Sequence, residues 1–373
     1  MKARLGDYIR EYSVRNKSEE DIPVYSVTNT QGFCQDYFGK EVASKDKSTY
    51  KIVPRGHFAY NPSRINVGSV DWQRYEDSVI VSPLYNVFSV TPELDQQYLF
   101  YYLKSDFALQ RIKAVARGSV RDNLRLEMLY EFPIRIPSIS EQKDIAGKLD
   151  KVKQILALRE QELSSLDDLI KARFVEMFGD PVSNPYGLPM KKLSELGTLD
   201  RGRSQHRPRN APELLNGPYP LIQTGEVAAS VLYITKYQNT YSELGLKQSR
   251  MWKAGTLCIT IAANIAQTAI MTFDACFPDS VVGFVPNDEV SAVYVHYWFG
   301  FFQKILEEQA PQVAQKNINL KILSDLNVIV PEQNQLSSFE AFVAQIDKSK
   351  SAIQKSLDET QILFDSLMQK YFG

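Results

Sequence analysis

Three short stretches of the chain have the residue types of known catalytic loops, but none has the complete pattern. The segment Asn184–Tyr186 (NPY) resembles the Asn/Asp-Pro-Pro-Tyr/Phe loop that holds the target base in adenine methyltransferases, yet the second proline is missing. Residues 197–204 fit GxxxxGK(S/T) except that Arg203 replaces the lysine, and an arginine is not equivalent inside a phosphate loop. A Pro-Asp pair at 278–279 is followed by no Asp/Glu-x-Lys, as common metal-dependent nucleases require. The sequence therefore favours a protein that binds without chemistry of its own.

Histidines and cysteines are the other residues that could form a reactive or metal-binding cluster. They are dispersed, with no CxxC spacing and no triad pattern: His57, His206, His296, Cys34, Cys258 and Cys276. They predict neither a metal site nor a disulfide framework, so a reducing compartment is the simplest setting. The N-terminus does not read as a signal peptide, and the most apolar internal stretch, 257–271, is too short and too polar to span a bilayer. We therefore expect a cytoplasmic protein.

Loop clusters of arginine and asparagine are candidate DNA contacts. The net charge of −1 argues neither way, because a binding face is a local feature. Guanidinium groups bind phosphates or guanine edges, and amide side chains can read adenine. Solvated loop charge is the alternative interpretation for any single residue. The candidates are Arg55, Asn61, Arg64, Asn66, Arg117 and Arg121 in the first half of the chain, and Arg201, Arg203, Arg207 and Arg209 in the second.

Two copies of one structural unit must position these residues, because the chain repeats itself at a period of about 190 residues. The segment NLRLEML at 123–129 resembles NINLKIL at 317–323. The match continues from FPIRIP at 132–137 to LNVIVP at 326–331, and a glutamine-containing helix start follows each proline. The period is far longer than a solenoid repeat, so it indicates duplication of a whole domain with its following helix.

Each copy ends in a long segment whose apolar residues alternate three and four positions apart. This spacing is typical of a coiled-coil seam, and a surface helix lying on its own domain is the alternative. Because two such helices can cover each other, we expect them to pair in antiparallel fashion. The seam residues are Ile145, Leu149, Val152, Leu156, Leu163, Leu166, Ile170 and Met177 in the first helix and Phe339, Val343, Ile346, Ile353, Leu357, Phe364, Leu367 and Tyr371 in the second.

Short strand-like runs broken by glycine, proline and asparagine fill the rest of each copy, with one aromatic helix-like segment at 96–112 or 293–309. Such aromatic stripes mostly fill a core, and a stacking surface for bases is the alternative. The sequence thus predicts an α+β fold with two pseudo-repeated globular domains joined by two long helices that pair as an antiparallel coiled coil. The expected segments are a globular domain at 1–138, a central helix at 139–179, a second globular domain at 180–331 and a C-terminal helix at 332–373.

The order of domain, helix, domain, helix resembles the DNA specificity subunit of type I restriction-modification systems. The resemblance rests on two strand-proline-glutamine junctions, FPIRIPSISEQ at 132–142 and the looser LNVIVPEQNQ at 326–335. It rests also on the helix ends RFVEMFGDP at 173–181 and LMQKYFG at 367–373, and it covers essentially the whole chain. In the second junction Pro331 is followed directly by Glu-Gln, a departure that leaves the helix start open.

The resemblance implies a non-catalytic, sequence-specific DNA-binding subunit with two target-recognition domains, each of which reads one half of a split double-stranded target. It implies two methyltransferase subunits and restriction subunits as partners. No cofactor or metal would belong to this chain, whereas the partners would use S-adenosylmethionine, ATP and magnesium. The helices would set the unread spacing and dock the partners through Gln142, Ile145, Leu149, Val152, Leu156, Gln335, Phe339, Val343 and Ile346. A self-contained DNA methyltransferase or nuclease with an unrecognised site, and a coiled-coil scaffold that binds only protein, remain alternatives.

Overall fold

The chain divides into two compact units. Unit 1 consists of Met1–Gln161 and Gln354–Gly373, and unit 2 consists of Glu162–Ile353, so each unit contains a globular domain and part of each long helix. The computed structural model describes residues 3–35, 46–116, 123–206, 208–262, 265–309 and 318–373. In these ranges no helix is long and apolar enough to cross a membrane.

Unit 1 is built from short strands followed by helices. Its strands are β1 (Ala3–Arg4), β2 (Ile9–Glu11), β3 (Ser26–Thr28), β4 (Gly32–Cys34), β5 (Lys51–Pro54), β6 (Phe58–Tyr60), β7 (Val70–Trp72), β8 (Ser78–Val81), β9 (Asn86–Val90) and β10 (Pro133–Ile134). Its helices are α1 (Gln96–Lys104), α2 (Asp106–Ala116), α3 (Leu126–Tyr130) and the first part of α4 (Ile139–Phe178). Short 3-10 turns lie at Leu5–Asp7 and Ile65–Val67.

A four-stranded antiparallel sheet in the order β2-β9-β6-β7 forms the centre of unit 1. Phe58 of β6 pairs with Phe88 of β9, and their rings stack with centroids 5.0 Å apart. Both side chains are fully buried in one cluster with Tyr98 and Leu99 of α1. The sheet therefore buries one face against the aromatic helix that follows it.

The aromatic segment that the sequence predicts as one helix is two helices, α1 and α2, separated at Ser105. The Ser105 hydroxyl donates to the carbonyl of Tyr102 at 2.7 Å and accepts from the amide of Ala108 at 3.3 Å. It thereby ends one helix and begins the next, a role that serine favours because its short side chain competes for backbone groups. The run Tyr98–Leu103 is buried, which confirms that the aromatic residues fill the core.

Unit 2 repeats this plan with additional strands. Its strands are β11 (Met190–Lys192), β12 (Gly197–Arg201), β13 (Leu215–Leu221), β14 (Tyr233–Ile234), β15 (Asn239–Tyr241), β16 (Met251–Trp252), β17 (Leu257–Thr260), β18 (Thr268–Met271), β19 (Ala275–Cys276), β20 (Val281–Pro286) and β21 (Asn327–Ile329). Its helices are α5 (Thr224–Ala229), α6 (Glu243–Lys247), α7 (Ala292–Gln309), α8 (Leu320–Ser324), the end of α4 and the first part of α9 (Gln333–Phe372). Short 3-10 turns lie at Leu193–Glu195 and Pro212–Leu214.

The sheets of the two units have equivalent topology. The central sheet of unit 2 has the order β12-β20-β17-β18-β14, in which the first four strands are antiparallel and β14 joins in parallel. Strands β12, β20, β17 and β18 thus correspond to β2, β9, β6 and β7. The terminal pairs β1-β10 and β11-β21 also correspond. The duplication predicted from the sequence is therefore confirmed in three dimensions.

The two long helices, α4 and α9, each contain 40 residues and are about 60 Å long at 1.5 Å per residue. In unit 2 they run antiparallel, because Phe178 contacts Phe339 (5.5 Å between ring centroids) while Lys350 contacts Asp167 (2.5 Å from Nζ to Oδ1). Lys350 interrupts the apolar seam and is largely buried, so its ion pair satisfies a charge at a position where the heptad pattern expects an apolar side chain.

In unit 1 the last part of α9 completes the hydrophobic core. Phe372 is 5% exposed, and its ring lies 5.1 Å from that of Tyr98 and 6.2 Å from that of Tyr102. Ile145 and Leu149 of α4 are buried in the same cluster. Residues from both long helices therefore belong to the core of the domain that the N-terminal half of the sequence forms.

Candidate nucleic-acid interface

Each central sheet has one end at which the predicted basic segments emerge, which we name the loop end. In unit 1, β2 and β6 finish and β9 begins there, as the pairing of Tyr60 with Asn86 shows. The loop end of unit 1 comprises residues 12–21, 61–69 and 82–85. In unit 2, β12 and β17 finish and β20 begins at the equivalent end. The loop end of unit 2 comprises residues 202–206, 208–214, 261–262, 265–267 and 277–280.

Asn61, Arg64 and Asn66 lie together on the loop that joins β6 to β7. The Asn61 carboxamide oxygen accepts hydrogen bonds from the amide and the hydroxyl of Ser63, at 3.1 and 2.9 Å, in a turn typical of asparagine. Arg64 is exposed and Asn66 is half-buried. Neither side chain has a hydrogen bond or ion pair within the described ranges. The loop is thus held by Asn61, and it leaves a guanidinium and an amide available to a ligand.

Arg55 does not join this group, because it precedes β6 whereas the other candidates follow that strand. Its guanidinium donates to the Asp77 carboxylate at 3.1 Å and to the carbonyl of Tyr75 at 3.3 Å. Its hydrogen-bonding groups are therefore engaged inside unit 1. Arg117 and Arg121 lie outside the described residues.

The arginine-rich loop of unit 2 is the segment RGRSQHRPR at 201–209, and Gly202 fixes its start. Its amide donates to the carbonyl of Val281 at 2.9 Å, and a Cβ atom here would lie 2.3 Å from the carbonyl oxygen of Phe277 and 2.4 Å from that of Pro278. Only glycine allows so close an approach of two backbones. The next residue, Arg203, is exposed, and its guanidinium has no partner within the part of the chain that the structure describes.

Arg201 and Arg209 lie at the two ends of the same loop, and both contact Asp279. Arg201 donates to the backbone carbonyl of Asp279 from Nε at 3.1 Å and from Nη2 at 2.8 Å. Arg209 forms an ion pair with the Asp279 carboxylate at 2.6 Å. Arg207 lies outside the described residues. The four predicted arginines of unit 2 therefore divide into two with partners, one available and one not described.

The segment after β2 also belongs to the loop end of unit 1, although it is not among the DNA contacts predicted from the sequence. Arg15 and Lys17 are exposed there. Asn16 is 1% exposed, and its side chain bonds the amide and the carbonyl of Glu20, at 3.0 Å each. This segment corresponds to the arginine-rich loop of unit 2, because both follow the first strand of equivalent sheets. An alignment of the repeats extended upstream would have found it.

The side chain of Lys51, on β5, is engaged within unit 1. Burial lowers its pKa, and the nearby Arg15 lowers it further, while Glu11 acts in the opposite direction. Its ammonium group donates to the carbonyl of Tyr85 at 2.7 Å. Lys51 therefore supports the turn before β9 from inside the domain, whereas Arg15 remains exposed.

The NPY segment of the sequence is a turn between α4 and β11. Gly179 has a left-handed backbone (φ +76°) and ends the helix. The side-chain amide of Asn184 donates to the carbonyl of Leu188 at 2.9 Å, and its oxygen accepts from the Leu188 amide at 3.0 Å. Both hydrogen-bonding groups that a base would need are thus used by the turn. Residues 197–201 form strand β12, so the GxxxxG pattern is not a phosphate loop.

His296 is half-buried in unit 2 and contacts Thr268. Its Nδ1 is 2.9 Å from the Thr268 hydroxyl, and burial lowers its pKa to about 4, so the imidazole is neutral near pH 7. Cys258 is fully buried and its pKa is raised by burial, so it does not form a reactive thiolate readily. Within the described ranges no group of histidine, cysteine, aspartate and glutamate could hold a metal ion.

Most of the helix residues predicted to bind partners lie inside this chain. Ile145, Leu149, Val152, Phe339, Val343 and Ile346 are buried, and Leu156 is half-buried. Gln142 is 0% exposed; its oxygen accepts from the amide of Asp95 at 2.8 Å, and its amide donates to the carbonyls of Glu93 and Pro137 at 2.8 and 2.9 Å. Gln142 therefore fastens the start of α4 to the residues that precede α1.

In the second repeat Gln333 has this role, although the sequence pattern places Gln335 there. The side-chain amide of Gln333 donates to the backbone carbonyls of Asp288 and Glu289, at 2.8 and 3.3 Å, just before α7. The Gln335 oxygen only accepts from the amide of Glu332 at 3.3 Å. Helices α4 and α9 both begin two residues after a proline, yet the glutamine that reaches these carbonyls is five positions after Pro137 in the first repeat and two positions after Pro331 in the second.

Two equivalent α+β domains with arginines and amides at their loop ends define a duplicated protein with two candidate nucleic-acid-binding surfaces. The chain belongs to the type I restriction modification DNA specificity domain family, whose model matches residues 6–167 and 186–362. It is thus the non-catalytic subunit that gives such a system its DNA specificity.

Solved structures have the same fold. The chain is similar to one from a study of complex assembly and conformational transition of the type I R-M system, with a TM-score of 0.62 and 18% identity over 100% of this chain and 97% of that one. It is also similar to the S subunit of a type I restriction-modification system from M. genitalium, with a TM-score of 0.59 and 15% identity over 100% of this chain and 96% of that one.

Proposed function

We propose that each loop end reads one half of a split target on double-stranded DNA. The observation that carries this proposal is that equivalent ends of two equivalent sheets bear exposed arginines on loops of different sequence. Arg64 and Asn66 serve unit 1, and Arg203 serves unit 2, because their polar groups are available to phosphates and base edges. Since the loops differ, the two target halves need not be palindromic, unlike those of a symmetric dimer.

The partners in this proposal are two methyltransferase subunits and, in the full complex, restriction subunits. This chain contributes no cofactor; the methyltransferase subunits bind S-adenosylmethionine and modify adenine, and the restriction subunits use ATP and magnesium in the cytoplasm. The exposed faces of α4 and α9 are the docking surfaces, because the seam residues are occupied within the chain. Ile155, Leu158 and Leu169 on α4 and Ile362 and Leu363 on α9 are exposed apolar side chains on these faces.

A domain exchange tests the proposal. The chain would be co-expressed with its methyltransferase subunits, and methylated adenines would be mapped across the genome of the host. Replacing residues 180–331 by those of another family member should change one half of the methylated motif and leave the other half unchanged. A change in both halves, or a methylated motif that is not split, would contradict the modular proposal. Methyl transfer by the purified chain alone would contradict the assignment of catalysis to the partners.

A further inference from the structure

Asp279 contacts both ends of the arginine-rich loop of unit 2. Its backbone carbonyl accepts two hydrogen bonds from the guanidinium of Arg201. Its carboxylate forms an ion pair with the guanidinium of Arg209 at 2.6 Å. Asp279 lies in the turn between β19 and β20, a segment already bonded to Gly202 through Val281. One residue on a neighbouring turn thus closes the loop at both of its ends.

A second segment, residues 248–249, binds the backbone in the middle of the arginine-rich loop. The carboxamide oxygen of Gln248 accepts from the backbone amides of Gln205 and His206, at 2.7 and 3.1 Å. The hydroxyl of Ser249 donates to the backbone carbonyl of Arg203 at 2.9 Å. These bonds hold the backbone on both sides of Ser204 and involve no side chain of Arg203 or Gln205.

The side chains of Arg203 and Gln205 remain exposed and without a partner within the described ranges. We propose that Asp279, with Arg201 and Arg209, is a positioning group that closes the loop, whereas Arg203 and Gln205 contact DNA. The inference rests on the proposed function of unit 2 as a DNA reader. Arginines that the sequence alone does not distinguish therefore have different roles.

The difference between positioning and DNA-contacting arginines has a measurable electrostatic consequence. The Asp279 carboxylate neutralises Arg209, so this arginine adds little to the attraction of phosphates. An arginine that contacts a phosphate contributes about 0.9 to the slope of log binding constant against log salt concentration, because one counterion is released. Arg203 should contribute to that slope in the native protein, and Arg209 should contribute only when the carboxylate is removed.

The test measures binding of the full methyltransferase complex to a duplex with the methylated motif, and to duplexes altered in either half, between about 50 and 200 mM salt. Asp279→Asn keeps the backbone carbonyl and the side-chain size but removes the ion pair. We expect its salt slope to steepen by about 0.9 and its preference for the half read by unit 2 to fall about two- to fivefold, the range of a surface ion pair. Its preference for the other half should not change.

Three further variants separate positioning from contact. Arg203→Gln should make the salt slope shallower by about 0.9, because it removes a phosphate contact. Arg209→Gln removes the same ion pair as Asp279→Asn, so it should also lower the preference for the half read by unit 2. The double variant Asp279→Asn with Arg209→Gln should return the slope to the native value. An unchanged slope for Arg203→Gln, or an unchanged slope for Asp279→Asn, would overturn the inference. A native complex that shows no sequence preference would instead overturn the proposed function.

Discussion

Replacing Gln142 by methionine should destabilise unit 1 far more than the equivalent change in the second repeat destabilises unit 2. Methionine has nearly the same length but can neither accept from the Asp95 amide nor donate to the carbonyls of Glu93 and Pro137. Each such bond contributes about 1 kcal/mol net, and a buried group left unpaired costs about as much or more. Because Gln142 is 0% exposed, we expect a loss of about 3 kcal/mol from unit 1.

Gln333→Met and Gln335→Met are the matched controls. Gln333 also bonds two carbonyls but is exposed, so water can replace it and the cost should be about 1 kcal/mol. Gln335 makes one long bond and should cost less than about 0.5 kcal/mol. Native-state hydrogen exchange of the full chain gives the free energy for each unit separately, and the Asp95 amide reports the lost bond directly. A loss below about 1 kcal/mol for Gln142→Met would refute this explanation of the junction.

Three other predictions concern unit 2 and the loop ends. Burial lowers the pKa of His296 from 6.5 to about 4, so the folded state binds a proton on the imidazole less tightly than the unfolded state does. The stability that the neutral imidazole contributes should be complete above pH 6.5 and should be lost as the pH falls towards 4. His296→Gln should flatten that pH dependence in urea titrations of unit 2. Arg64→Ala should weaken DNA binding and reduce the salt slope by about 0.9. Arg55→Ala should leave the slope unchanged, because Asp77 holds the guanidinium of Arg55. Equal effects of the two variants would contradict this difference between the arginines. Gly202→Ala should abolish discrimination in one target half, because its Cβ would lie 2.3 Å from the Phe277 carbonyl; full retention in the methylation map would show that the loop can move aside.

The sequence predicts the architecture well because hydrophobic spacing and internal repetition are long-range signals. The apolar alternation predicts α4 and α9, and the observed helices begin and end close to the expected positions. The repeat predicts the equivalent sheets. It does not predict the break at Ser105, because the aromatic pattern continues across it and only a local hydrogen bond of the hydroxyl ends the helix.

The candidate contacts are harder to predict, because the availability of an arginine depends on neighbours that are distant in sequence. Arg55 and Arg64 look alike in the sequence, yet Arg55 is paired with Asp77, a residue on another segment. Likewise, Asp279 stands out in the sequence only as part of an incomplete nuclease motif. Its contacts with Arg201 and Arg209 arise from the pairing of β12 with β20, which brings residues far apart in the chain together.

The discontinuity of unit 1 imposes an order on biosynthesis. Phe372 is part of the same core as Tyr98, but it is translated only after the whole of unit 2. At about 5–20 residues per second, the roughly 190 intervening residues take roughly ten to forty seconds. Unit 2, which is contiguous, can therefore complete its core on the ribosome before unit 1. During that interval the first domain to be synthesised exposes the apolar surface that α9 will cover, which makes it the part of the nascent chain that most needs protection from aggregation.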